Sequence, residues 1–340
     1  MFAASRRRIR LVLILMLLPL TFTARADDIT LRVGYIPIMP MAQLFVMDGA
    51  GWTDDAGLNL KLTRFSSGPA MVQALASGTL DVAYIGIGPA MVSKAKGVPI
   101  KVVAANVYNQ MAVIARGDFA KAWQAEPGAK AVKAFEKAQQ RKLKIATLPK
   151  GSVPDTVLHY WVEKQLGLKP DQVEIIGMGA TAVQQALLAG SVDAASIMEP
   201  VLTVAGERLP DAKVIARGDD MMPQHPGAVV AVTEQALDAH PQEIGKLVAL
   251  HARATDLLNN HPEQAAPYLA DFIGKGLLPE ALLQRALQAE QGHFVAAPRQ
   301  LLEGTKRLNE YQQAIGVGRG ELDVDALFDD DFYNKATAKQ

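Results

Sequence analysis

From Leu31 onward, short aliphatic runs of strand length alternate with segments whose apolar positions recur at helical spacing. "LRVGYI", "LNLKLTRF", "DVAYIG" and "IKVVAA" read as strands, with helices between them over 41–50, 69–77 and 90–96. The same order then returns: "LKIATL", "VEIIGM", "DAASIM" and "AKVIA" read as strands, with helices over 154–166 and 182–189. Strands alternating with helices predict βαβ units and a mainly parallel sheet in each set, an α/β architecture. Two isolated strands, "MAVIAR" and "GAVVAVT", flank the second set, as expected of a chain that crosses into a second lobe and comes back. The charged stretch 121–142 predicts a surface helix with Val132 and Phe135 facing inward. From Pro241 the pattern is helical: Ile244, Leu247, Val248, His251 and Leu258 form one stripe, and Pro262, Pro279 and Pro298 mark later helix starts. The polar end from Lys335 is expected to fray.

The two sets share a phrase. "QALASGTLDVAYIGIGPA" (73–90) is written again as "QALLAGSVDAASIMEPV" (185–201), with Gly78 and Gly190, and Asp81 and Asp193, each 112 residues apart. "LRVGYIP" and "LKIATLP" keep that offset. A period this long predicts two similar lobes, since solenoid units are shorter and more numerous. The expected division is 27–110 for the first part of lobe 1, 111–232 for lobe 2, and 233–340 for a helical return segment packing mainly on lobe 1.

A chain of 340 residues, 49% of them hydrophobic and with no formal net charge, has the material for two cores and lacks the signature of a disordered or nucleic-acid-binding protein. Its first 26 residues differ from the rest. Arg6, Arg7, Arg8 and Arg10 precede "LVLILMLLPLTF", and Ala24-Arg25-Ala26 supplies a small-x-small cleavage pattern, so residues 1–26 read as a secretory signal peptide. The apolar run is short for a spanning helix. Loss of the leader removes five arginines and no acids, leaving a net charge of about −5, which again argues against a polyanion partner. The absence of cysteine excludes a disulfide scaffold, a thiolate metal site, a cysteine nucleophile and a lipid-modified cysteine. A free periplasmic protein is the expected product.

Parallel sheets present ligands at the carboxyl ends of their strands, where loops lead into helix starts. Those loops read "PIMPM", "SSGPAM", "GIGPAM", "PKGSVPD", "GMGATAV" and "MEPV". Gly, Ser, Thr and Pro there are ordinary capping residues, yet their recurrence in both lobes also predicts free N–H groups and hydroxyls facing a shared cleft, a setting for an anion. Ser67 and Thr181 are the hydroxyls expected to serve in this way. Competing motifs are missing: "GIGPAM" has Met91 where a dinucleotide fingerprint needs its third Gly, and no phosphate loop, Gly-x-Ser-x-Gly or His-Glu-x-x-His occurs. The pairs His159/Glu163 and Glu290/His293 read as ordinary helix neighbours, so no metal or other cofactor is expected.

A signal peptide, "RVGYIP", the doubled phrase, "KGS" after a strand, "MEP" and an all-helical tail together resemble the substrate-binding proteins of nitrate, sulfonate, taurine and bicarbonate ABC importers. The likeness covers nearly the whole mature chain. It implies a two-lobed periplasmic binding protein fold of type II that closes over one small ligand, acts without catalysis as a monomer, and hands its ligand to a membrane permease. It points to Ile38, Met39 and Met41 in the first loop, to Ser66, Ser67 and Gly68, to Gly86 and Gly88, and to Asn106 at the crossover. In the second lobe it points to Ser152 and Pro154, to Gly179, Ala180 and Thr181, and to Glu199 with His225 nearby. His225 also fits a structural turn near a hinge, and Glu199 fits either a pocket carboxylate or a lobe-closing acceptor. Sulfonate binders often carry a polar residue just after "GY"; here Ile36 and "PIMPM" follow, which points away from taurine itself and toward a ligand with an apolar portion. An enzyme of the pyrimidine-synthase or menaquinone-pathway kind on the same fold, or a periplasmic sensor subunit, are the alternatives.

The leader generates a direct expectation. Amino-terminal sequencing of the protein recovered from the periplasmic fraction should begin at or near Asp27; an intact Met1 recovered with membranes would refute the leader.

Overall fold

The computed structural model describes residues 29–317 and 320–338; the expected leader and its cleavage site lie outside them. Ten strands form two five-stranded sheets. The first contains β1 (Thr30–Tyr35), β2 (Asn59–Arg64), β3 (Val82–Gly86), β4 (Ile100–Tyr108) and β10 (Pro226–Thr233), in the order β2-β1-β3-β10-β4. The second contains β5 (Ala112–Ala115), β6 (Leu143–Thr147), β7 (Val173–Gly177), β8 (Ala194–Ile197) and β9 (Lys213–Arg217), in the order β7-β6-β8-β5-β9. In each sheet the first three strands run parallel, and one strand lies antiparallel to both its neighbours: β10 in the first sheet, β5 in the second. That strand is in each case the one the chain lays down just after arriving from the other lobe. Helices cover the sheets, giving the α/β two-lobed architecture that the pattern predicts.

Three expectations change. Residues 226–232, assigned from sequence to lobe 2, already belong to the first sheet, because "GAVVAVT" pairs with β3 and β4. The stretch 121–142 contains the end of one helix, Gly117–Ala125, and all of another, Ala129–Gln139, with Val132 and Phe135 buried as predicted. The carboxyl end is helical over Asp331–Thr337, where it packs on the long helix Pro241–Asn260.

The doubled phrase has a structural reason. Gly78 and Gly190 follow the helices Gly68–Ala76 and Ala180–Ala189 with φ of 67° and 74°, the left-handed conformation that ends a helix and that glycine adopts without a Cβ penalty. The aspartate three residues on then locks the sheet. Asp81 accepts from the Arg32 backbone N–H at 2.8 Å and from its guanidinium at 2.9 and 2.6 Å, while its own N–H donates to Arg32 O at 2.9 Å. Asp193 repeats this at the start of β8, accepting from the Lys144 N–H at 3.0 Å and donating to Lys144 O at 3.0 Å, with the guanidinium supplied by Arg141 at 2.6 and 2.7 Å. Both latches sit where the strands enter their sheets, at the opposite end from the loops that lead out of the strands into the next helices.

The lobes are joined at two crossings. Asn109, at the end of β4, and His225, before β10, bond to each other: Asn109 N–H donates to His225 O at 3.0 Å, and His225 N–H to Asn109 Oδ1 at 3.1 Å. The tail adds further contacts. Helix Glu280–Ala289 packs on Val201–Arg208 of the second lobe through an Arg285–Glu207 ion pair of 2.6 Å, and Gln312 of helix Leu302–Ala314 bonds Thr156 Oγ1 at 2.8 Å. Among the described residues no helix is long and apolar enough to cross a membrane.

Gly78 has open space where a Cβ would go, so Gly78→Ala isolates the backbone effect. It should cost about 1 kcal/mol in chemical denaturation through the positive φ alone, and leave ligand affinity unchanged. A neutral result would remove the left-handed cap as the reason for the glycine.

Candidate functional site

The strand exits of both lobes converge between the sheets. After β1, Ile36 and Ile38 lead into a single turn of 3-10 helix, Met39–Met41, all buried. Asn106 holds this loop from beneath: its amide donates to Pro40 O at 2.9 Å, and Gln43 Nε2 bonds Asn106 O at 2.8 Å. β2 ends at Arg64, and after it come Phe65 to Ser67 and then helix Gly68–Ala76, whose N-cap Ser67 is extended and makes no side-chain capping bond. Gly86 precedes helix Ile87–Ala95, again with no side-chain cap. In the second lobe Ser152 caps helix Val153–Tyr160 by accepting from the Asp155 N–H at 3.3 Å, while Gly179 precedes helix Ala180–Ala189 with no side chain in the way. Helix starts without side-chain caps leave their first N–H groups free for an incoming acceptor.

Two adjoining chambers result, with Ile36 in the wall of both. The inner one is narrow as the lobes stand, with a cavity volume of about 30 Å³, room for one small group. Ile36, Ile38, Met41, Leu148, Val153 and Met198 make it apolar, Gly68, Gly86 and Gly227 let backbone approach, and no charged side chain lines it. The outer chamber, about 430 Å³, lies between Pro37, Arg64, Phe65 and Ser66 of one lobe and Gly179 to Ala182 of the other. Arg64 is exposed and has no ion pair among the described residues. Its guanidinium and the start of helix Ala180–Ala189 therefore place positive potential on both sides of the mouth.

The lobes are in contact around these chambers. Met39 N–H donates to Glu199 O at 3.4 Å, and Gln312 Nε2 reaches Gly151 O at 3.4 Å. A Cβ on Gly88 would come within 2.9 Å of Gly151 O, so this lobe-to-lobe approach requires glycine.

Of the residues singled out from sequence, Met41, Gly68, Gly86, Ser152 and Pro154 line the inner chamber, and Ser66, Gly179, Ala180 and Thr181 the outer one. Ser67 stands one residue back from the outer wall, and Gly88 lies at the lobe contact. Met39 faces a smaller void beneath the first loop with Gln110, Met198 and Glu290. Asn106, Glu199 and His225 are buried and line neither chamber; the Asn106 amide nitrogen, a Glu199 carboxylate oxygen and both His225 ring nitrogens are bonded to main chain elsewhere. Glu199 Oε2 accepts from the Thr203 N–H at 3.0 Å, and it is the backbone carbonyl, not the carboxylate, that meets the first lobe. His225 donates from Nδ1 to Met222 O at 2.9 Å and accepts at Nε2 from the Met111 N–H at 3.3 Å, which fixes a neutral tautomer; burial lowers its pKa to about 4. It is thus the structural turn residue at the crossing. The sequence reading missed Arg64, Phe65, Leu148, Met198 and Gln110. The first two end the strand "LNLKLTRF" just before a loop that was recognised, so their place was open to inference; nothing in the pattern marks Gln110.

A two-lobed α/β protein with a ligand-sized cleft at its strand exits defines the periplasmic-binding-protein class of fold. The model of the NMT1-like family matches residues 24–274, and the chain belongs to that family. A putative binding protein of Brucella abortus is 30% identical over 271 residues, 79% of each chain. The taurine-binding periplasmic protein of Escherichia coli is 25% identical over 264 residues, 68% of this chain and 75% of that one. In three dimensions the nitrate-binding protein NrtA of Synechocystis superposes with a TM-score of 0.77 at 15% identity, covering 92% of this chain and 89% of that one. Among the described residues no group of three or more His, Cys, Asp or Glu is arranged to hold a metal.

Glu199 supplies a pH test. Burial, the largest influence, raises its pKa from 4.5 to about 7, with nearby Glu290 pushing the same way against the Thr203 hydrogen bonds. Below pH 4.5 it is protonated folded or unfolded. Between 4.5 and 7 the unfolded chain releases a proton that the folded chain keeps, so folding is progressively disfavoured as pH rises, by up to about 3 kcal/mol above pH 7. Glu199→Gln keeps an oxygen for Thr203 and cannot ionise. It should be more stable than the parent at pH 8, with the gap closing toward pH 4.5; parallel melting profiles would show that Glu199 is ionised at no cost.

Proposed function

We propose that this chain is the solute-capturing component of an ABC importer, taking a small organic anion of the sulfonate type into the cleft in the periplasm and delivering it to a permease. The observation that carries this is the pairing of chambers: a mouth with Arg64 facing the start of helix Ala180–Ala189, opening onto an apolar interior. An anionic head at the mouth meets a guanidinium and free N–H groups, and a short apolar body lies along Ile36, Pro37 and Phe65 with its end directed at the narrow apolar interior, each in the environment that favours it. The E. coli relative named for taurine, itself a sulfonate, supports the anionic head. Because the ligand touches both lobes, it binds the closed form better than the open one and shifts the population toward closure. No nucleophile and general base face each other in the chamber walls, which favours capture over catalysis.

Native mass spectrometry of the protein purified from its host identifies the resident ligand, and titration with aliphatic and aromatic sulfonates tests the class. Arg64→Gln should weaken sulfonate binding about tenfold or more, the loss of one charge-assisted hydrogen bond, with little change in the melting temperature of the empty protein. Saturation should also reduce the radius of gyration in solution scattering. Unchanged affinity in Arg64→Gln, or a neutral solute as sole resident, would overturn the anionic head.

A further inference from the structure

Gln110 is the second residue after β4, on the first of the two segments that join the lobes. It is 4% exposed, and its side-chain oxygen Oε1 is buried without a hydrogen-bond partner; its Nε2 bonds no described residue either. The other orphan amide oxygens among the described residues, those of Gln43 and Asn106, sit inside the first lobe and line no chamber, and each of those amides is anchored through its nitrogen. Gln110 differs in that it lines the inner chamber, among Ile36, Ile38, Met41, Leu148 and Met198. Its Oε1 lies against Gly227, where a Cβ would come within 2.7 Å. A buried amide left unpaired weakens a fold unless something completes it, and no described residue does so.

We infer that Gln110 is the residue that reads the far end of the ligand, and that this end carries a neutral hydrogen-bonding group such as a carboxamide, a hydroxyl or a ring nitrogen. The inference rests on the cleft reading above and narrows it: the solute has two poles, an anionic head at the mouth and an uncharged polar tip in the interior. A primary amide offers both a donor and an acceptor, so it can pair with a group that has either. It offers no charge, and an ionised tip would enter a chamber with no counter-ion in its wall. Since Gln110 belongs to the crossing itself, a tip bonded to it is held at the joint between the lobes.

The experiment compares matched probes by calorimetry: the alkanesulfonates from propane- to hexanesulfonate, the same chains ending in a carboxamide, and nicotinamide as a probe without the sulfonate. The carboxamide-tipped sulfonate of best length should bind the wild-type chain about tenfold more tightly than its plain counterpart. Gln110→Leu should abolish that preference while still binding the plain chain. Equal binding of the pair by the wild-type chain, a comparison that needs no variant, overturns the inference and leaves the sulfonate head standing. A preference that survives in Gln110→Leu also overturns it. Binding of nicotinamide alone, lost in Gln110→Leu, supports the inference and instead overturns the sulfonate head. Failure of every probe to bind overturns both.

Discussion

The two crossings between the lobes run side by side and are tied to each other through their main chains, and the rest of the molecule hangs on how this is done. Asn109 and His225 bond each other's main chain, Asn109 Nδ2 reaches Asp219, and the neutral imidazole spans Met222 O and the Met111 N–H. Space here is so short that a Cβ on Gly218 would lie 2.3 Å from Asn109 O, and one on Gly227 2.7 Å from Val107 O. The clasp sets where β4 and β10 lie in the first sheet and where β5 begins in the second. A protonated imidazole could not accept the Met111 N–H, so the joint depends on a histidine held uncharged by burial.

From this joint the strand exits of both sheets turn toward one space, and the chemistry there follows from what each loop lacks. Uncapped helix starts leave donors at the mouth. The absence of polar side chains in "PIMPM" leaves the interior apolar. On the function proposed above, closing the lobes removes apolar surface from water on both sides of the ligand and strengthens the electrostatics at the mouth by excluding solvent. The tail takes part in this, since Gln312 and Arg285 touch the second lobe while the long helix Pro241–Asn260 is anchored in the first, where His251 bonds Ala105 O at 2.7 Å.

Much of this was legible in the sequence where the signal was periodic or repeated. Alternating strand and helix patterns placed nine strands in their proper sets, and the doubled phrase located both lobes. The boundary before β10 was misplaced because a fully buried apolar run reads alike whichever sheet it joins. The loops at the strand exits were legible as a group through their glycines and hydroxyls. Individual roles were not: Ser67 and Ser152 look alike in sequence, yet only Ser152 closes a side-chain cap. Asn106, Glu199 and His225 had the right chemistry to face a ligand, but three-dimensional packing gave them main-chain partners. Gln110 escaped notice because the absence of a partner is a property of the packed interior and has no pattern along the chain.

The aspartate latches have a consequence for how such a protein can change over generations. They tie the strands at the entry ends, through Asp81 with Arg32 and through Asp193 with Lys144 and Arg141, while both chambers lie at the exit ends. The half of each lobe that keeps the sheets in register is thereby separate from the half that lines the cleft. Substitutions in the exit loops can reshape the cleft without touching the ties that hold the frame.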